Sequence, residues 1–119
     1  MRYTGFTPAV KDLILARSSG MCEVMVDGIC SMHGEQFHHR RPRGAGGTRR
    51  IDTNHASNGL YICGLCHLHI ETNRREAKAL GWLVSQWGRP VEEPVLWRGR
   101  QRWLDDDGGF EPPAVADVG

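Results

Sequence analysis

The stretch HHRRPRGAGG (residues 38–47), followed by NGLYICGLCH (residues 58–67), decides how this chain is read. It begins with two adjacent histidines on a short segment, Phe37 to Arg40, that reads as extended. Pro42 and the glycines at 44, 46 and 47 exclude regular structure immediately afterwards. Asn58 then precedes Leu60-Tyr61-Ile62, a second short apolar strand. The segment closes on Cys63-Gly64-Leu65-Cys66-His67, where a helix is expected to begin near Gly64 and to carry Cys66, His67 and Glu71.

Cys63 and Cys66 have the C-x2-C spacing that lets two thiolates reach one tetrahedral zinc from a tight turn. Cys22 and Cys30 supply the other half of a four-cysteine site, and with a total of 4 cysteines none is left over. A metal closing so long a loop removes much unfolded-state entropy. The C-x7-C half is less regular than the C-x2-C half. The same four residues also fit buried unliganded thiols or a redox pair.

Outward from this segment, Thr7-Pro8 opens a helix, with Thr as N-cap and Pro at the first helical position. Val10, Leu13, Ile14 and Arg17 follow at helical spacing, and Gly20 is expected to stop it. Residues 21–36 read as a loop or small knuckle. Asn73 with Glu76 predicts a capping box for a further turn or two, ended by Gly81. Trp82-Leu83-Val84 and Val95-Leu96-Trp97 read as strands, and residues 98–101 turn back into Arg102-Trp103-Leu104. The expected organisation is an N-terminal helix over 1–20, a zinc-stapled core over 21–81 and C-terminal strands over 82–104. An acidic, Gly- and Pro-rich tail over 105–119 is expected to be disordered or wrapped on a partner.

The chain of 119 residues fits one domain, and glycine at 15 positions raises the entropy of ordering it, which favours a metal staple. No apolar run follows Met1 and none approaches a membrane span, so neither a signal peptide nor a membrane segment is expected. A cytoplasmic location is expected, where thiols serve metals rather than disulfides. The net charge of +1 conceals an asymmetry: residues 38–78 hold eight Arg/Lys against three acids, and residues 90–119 hold three against seven. A basic middle suggests a polyanionic partner. Nearly all the basic residues are arginines, which fits phosphate recognition and equally fits a GC-rich genome.

Taken in order, His38-His39, the glycine loop, Asn58 and C-x2-C-His67 resemble the HNH endonuclease family. The resemblance covers residues 22–71, and the flanks are similar to short stand-alone HNH proteins of actinobacterial phages. It implies an α+β fold: a small zinc-stapled ββα-metal (His-Me finger) domain with an N-terminal helix and a C-terminal strand or hairpin. It further implies metal-dependent hydrolysis of DNA phosphodiester bonds, and a role beside the phage terminase and portal in the host cytoplasm. His38 and His67 would hold the catalytic divalent cation, with Glu71, one helical turn on, as a third ligand or a water anchor. His39, on the opposite face of the strand, would be the general base, since an unperturbed imidazole titrates near about 6.5. Asn58 would bond backbone across the loop and hold the base-bearing strand. Many family members have Asp where this chain has His38, and imidazole there shifts preference from Mg2+ towards Mn2+, Ni2+ or Zn2+.

Arg40, Arg41, Arg43, Arg49 and Arg50 flank the glycine loop and are expected to contact DNA phosphates, giving affinity with low sequence specificity; a solvated basic loop fits them too. His33, His55 and His69 are read as bystanders, with His69 replacing His67 if the helix is shifted. Trp82, Trp87, Trp97 and Trp103 read as packing residues. Two rival functions use the same residues: a non-catalytic zinc module that binds nucleic acid through its arginines, and a protein-interaction zinc domain. The H-x-E signature of zinc deaminases is absent.

Overall fold

In a computed structural model, which describes residues 5–42 and 50–111, the first helix, α1, spans Pro8–Ser18. Thr7 caps it by accepting the Val10 N–H, and the left-handed turn that ends it falls on Ser19, one residue before the expected Gly20. The strands expected around the histidines form an antiparallel pair: β1, Gln36–His39, faces β2, Gly59–Ile62, with His38 opposite Leu60 and His39 opposite Gly59. Helix α2, Gly64–Thr72, follows β2 directly, its N-cap being the Cys63 sulfur, which accepts the Cys66 N–H. A buried cluster that includes Leu60, Ile62, Ile70, Leu83 and Leu104 joins these elements to the C-terminal part, and Phe6, Ile14 and Ala56 form a smaller one beneath α1.

Gly59 shows why the asparagine is followed by glycine. A Cβ there would lie 2.5 Å from the Ile14 side chain and 2.9 Å from Phe6, so a larger residue would have to push these two side chains aside for β2 to run this close under α1.

Helix α3 spans Arg74–Ala79, but the expected capping box is not formed: Asn73 makes no side-chain cap to it. Its Nδ2 instead donates backwards to the His69 carbonyl at 3.0 Å, closing the end of α2. The strand expected at Trp82–Val84 is also not there. All three residues are buried, but Gly81, at φ +79°, turns the chain sharply, and Trp82 and Leu83 donate back to the Ala77 carbonyl. The helix end uses these two N–H groups, and the Val84 N–H donates to the Arg40 carbonyl at 2.8 Å, so the three residues form no strand of their own.

The C-terminal hairpin forms with a tighter turn than the expected 98–101: β3, Val95–Trp97, pairs with β4, Arg100–Leu104, across Arg98-Gly99, both with positive φ as a tight hairpin turn requires. A fifth strand, β5 at Phe110–Glu111, adds to β4. The expected tail boundary at residue 105 is therefore too early. Asp105 accepts from the N–H groups of Asp107 and Gly109 and folds the acidic run into a turn. The molecule is a small mixed α/β domain in which no helix of the described residues is long and apolar enough to cross a membrane.

Candidate metal centres

Cys22, Cys30, Cys63 and Cys66 converge, their sulfurs all lying within 4.8 Å of one another. Sulfurs around a tetrahedral zinc, at about 2.3 Å each, stand about 3.8 Å apart. The Cys30 and Cys63 sulfurs are 3.9 Å apart, which fits that edge and is far beyond a disulfide bond of about 2.05 Å. The surrounding amides match thiolates: Val26 donates to Cys66, Ser31 and Cys66 to Cys63, and Met32 to Cys30. Burial opposes ionisation of Cys63, yet the Ser31 and Cys66 donors outweigh it and bring the thiol to about 6. Burial and the nearby Cys22 push Cys30 up to about 11 and raise Cys66 as well. Four sulfurs this close cannot all ionise without a cation between them, and a divalent one relieves the conflict. This cluster can hold a structural zinc.

A second group forms where β1 meets α2. His38, His67 and Glu71 each bring a ligand atom within 4.8 Å of the others. His38 is buried, and its Nε2 lies 2.8 Å from the Trp82 carbonyl. A carbonyl only accepts, so Nε2 carries the proton and the lone pair stands on Nδ1. Burial, reinforced by the His67, His39 and Arg40 charges, lowers the His38 pKa to about 4 although the Trp82 carbonyl works against it. The ring is therefore neutral at pH 7, as a metal ligand must be. His67 Nδ1 donates to Gln36 Oε1, which puts its lone pair on Nε2, 3.8 Å from Glu71 Oε2. Both rings are thus oriented by a partner on the far nitrogen, the arrangement that fixes metal-binding histidines. Glu71 is 47% exposed and also pairs with Arg74 at 2.8 Å.

These residues line a cavity of about 270 Å3 together with Phe37, His39 and Pro42. His39 stacks on Phe6, ring centroids 4.0 Å apart and nearly parallel, and its Nε2 lies 2.7 Å from Asn54 Oδ1. That contact places the proton on Nε2 and makes Nδ1 the basic nitrogen. Asn58 is fully buried. Its Oδ1 accepts the Arg41 N–H at 2.7 Å, and its Nδ2 donates to the Arg41 and Thr53 carbonyls, while its own carbonyl accepts the Arg40 N–H. It ties the end of β1 to the start of β2.

No family model, curated protein or solved structure matches this chain.

The helix register brings His67, not His69, to the group. His69 lines a larger cavity of about 640 Å3 with Asp27, Glu76 and several aliphatic side chains. His55 pairs with Asp106, and His33 bridges to Met21.

The arginines depart most from expectation. Arg40 is completely buried and donates to four backbone carbonyls, those of Gly81, Ser57, Pro90 and Glu93. Burial, aided by the Arg17 charge, lowers its pKa to about 9, still well above neutrality. Arg41 is 2% exposed and is held by Asp52 and the Gly88 carbonyl. Neither guanidinium faces solvent, so neither is a phosphate contact: a buried charge must spend its donors internally. Arg50 is exposed and donates to the Gln86 carbonyl. Arg43 and Arg49 lie outside the described residues.

Sequence reasoning missed four participants, namely Gln36, Asn54, Phe6 and the Trp82 carbonyl. Only Gln36 left a signal, two residues before His38 and so on the same face of the strand.

Proposed function

We propose that this chain is a small HNH-type DNA endonuclease of the ββα-metal kind, dependent on a divalent cation and stapled by zinc on its four cysteines. The observation that carries the reading is the convergence of His38, His67 and Glu71, each with a ligand atom within 4.8 Å of the others, on a cavity that His39 also lines. The order β1, β2, α2 and the bridging Asn58 agree with the family that the sequence resembles.

A divalent cation held there would polarise the scissile phosphate and stabilise charge on the leaving 3′ oxygen. The protein's own groups do the rest. His39 receives the proton of the attacking water on Nδ1, and Asn54 holds the opposite nitrogen so that the tautomer is correct. Phe6 fixes the ring plane. Asn58 keeps β1 in register with β2 and so keeps His38 and His39 in place. Trp82 and Gln36 orient the two ligand rings before any cation arrives.

Burial of Arg40 and Arg41 removes two of the arginines on which the non-catalytic binding module depended. A role in phage packaging beside a terminase and portal remains part of this proposal. The test is a supercoiled plasmid incubated with purified protein and Mg2+, Mn2+, Ni2+ or Zn2+, with a metal-free control. Metal-dependent nicking or linearisation supports the enzyme. Intact plasmid with every ion, alone or with terminase, leaves a binding module.

A further inference from the structure

Trp87 is 91% exposed, the most exposed large apolar side chain among the described residues. A single exposed apolar side chain is ordinary on a protein surface, so what singles Trp87 out is how firmly the loop that presents it is held.

The loop is not slack. Gln86 donates through Nε2 to the Pro42 carbonyl at 2.8 Å, and Pro42 is a wall of the histidine cavity. Arg50 grips the Gln86 carbonyl from one side. The buried Arg41 grips the Gly88 carbonyl at 2.9 Å from the other, and Gly88 closes a turn onto Ser85. The residues on both sides of Trp87 are thus clamped by arginines, while its ring is held out to solvent. A preorganised aromatic whose neighbour Gln86 is tied to a wall of the histidine cavity and held by an exposed arginine has the elements of a stacking platform. Bases stack on such a ring with little ordering cost, and the adjacent cation follows the phosphate chain.

We propose that Trp87 stacks on an unpaired nucleobase, so that this site takes DNA with single-stranded or unstacked bases at the cut in preference to intact duplex. This rests on the nuclease reading for its substrate class but has a binding test of its own.

Binding to a dye-labelled single strand, to its duplex, and to an abasic sugar-phosphate oligomer of equal length is measured by anisotropy without added divalent ion. Trp87→Ala should weaken single-strand binding roughly tenfold or more, while Trp87→Phe stays within about threefold. Duplex and abasic binding should change less than about twofold, because the phosphate contacts are untouched. An exposed side chain can be replaced without unfolding, which a melting curve on each variant checks. Equal single-strand affinity for wild type and Trp87→Ala overturns the proposal, as does an equal loss on all three ligands. Self-association that depends on Trp87 without any effect on DNA overturns it too, and assigns the ring to a protein contact. A wild type that cuts plasmid although Trp87→Ala binds normally sinks this inference alone; a wild type that cuts nothing while Trp87 still governs single-strand binding sinks only the nuclease reading.

Discussion

His38 points its Nε2 at the backbone carbonyl of Trp82, 2.8 Å away and 44 residues along the chain. That one contact fixes which nitrogen faces the cavity. His38→Ala and His67→Ala are expected to abolish cleavage through loss of the cation, and excess metal should restore part of it. If either variant cuts normally at low metal concentration, the ligand assignment is wrong.

His39 behaves differently under the same reading. His39→Ala should leave metal and DNA binding nearly unchanged while lowering the cleavage rate by roughly 10²–10⁴-fold, the usual effect of a positioned base. His55→Ala serves as the control, since the His55 ring pairs with Asp106 and does not line the histidine cavity. Wild-type turnover by His39→Ala in single-turnover kinetics would remove the base from this residue.

The cysteine cluster predicts about one tightly held zinc per chain, measured by elemental analysis. Structural zinc contributes of order 10 kcal/mol in small domains, so Cys63→Ser or chelation should unfold the protein. A metal-stripped sample that melts cooperatively at the native temperature contradicts this.

Arg17 and Glu23 form a fully buried ion pair, Nε to Oε2 at 2.6 Å and Nη2 to Oε1 at 3.0 Å. Glu23 also accepts from the Tyr61 N–H and the Trp97 indole, so it joins α1, β2 and β3. Glu23→Ala leaves a buried guanidinium short of its counter-charge and should cost about 3–5 kcal/mol in denaturant unfolding. A loss below about 1 kcal/mol would show that the pair is not the tie described.

Arg41 predicts stability rather than affinity. The Arg41 guanidinium holds the Asp52 carboxyl below its usual range. A folded-state pKa below the unfolded one, about 3.9, gives stability that is present above that value and lost as pH falls through the folded pKa. The stability gap between wild type and Asp52→Asn should therefore be full at neutral pH and shrink below about pH 5. Arg50→Ala, by contrast, should reduce the salt slope of duplex binding by about one with little loss of stability. Identical slopes for Arg50→Ala and wild type would take Arg50 out of the DNA contact.

Local chemistry carried the sequence reading where it succeeded. The Thr7 cap, the strand before Cys63, the helix from Gly64 and the return of the chain after Trp97 each depend on a few adjacent residues, so spacing and propensity suffice to find them. The capping box at Asn73 failed for an equally local reason, since its amide turns back to donate to the His69 carbonyl instead of accepting from the first turn of α3.

By itself the sequence determined the donor set: four cysteines paired by spacing, His38 and His67 flanking a hairpin, and Asn58 followed by a glycine. Those are properties of residue type and order. Only the tertiary structure decided which donors are available. Arg40 and Arg41 read as surface charges beside a glycine loop. Folding brings carbonyls from as far as 53 residues away around Arg40, and Asp52 and the Gly88 carbonyl to Arg41, consuming their hydrogen-bonding capacity inside. The tautomers of His38 and His67 were settled the same way, by Trp82 and Gln36. Burial and proton placement depend on what long-range packing sets against a side chain, and no short window of sequence contains that.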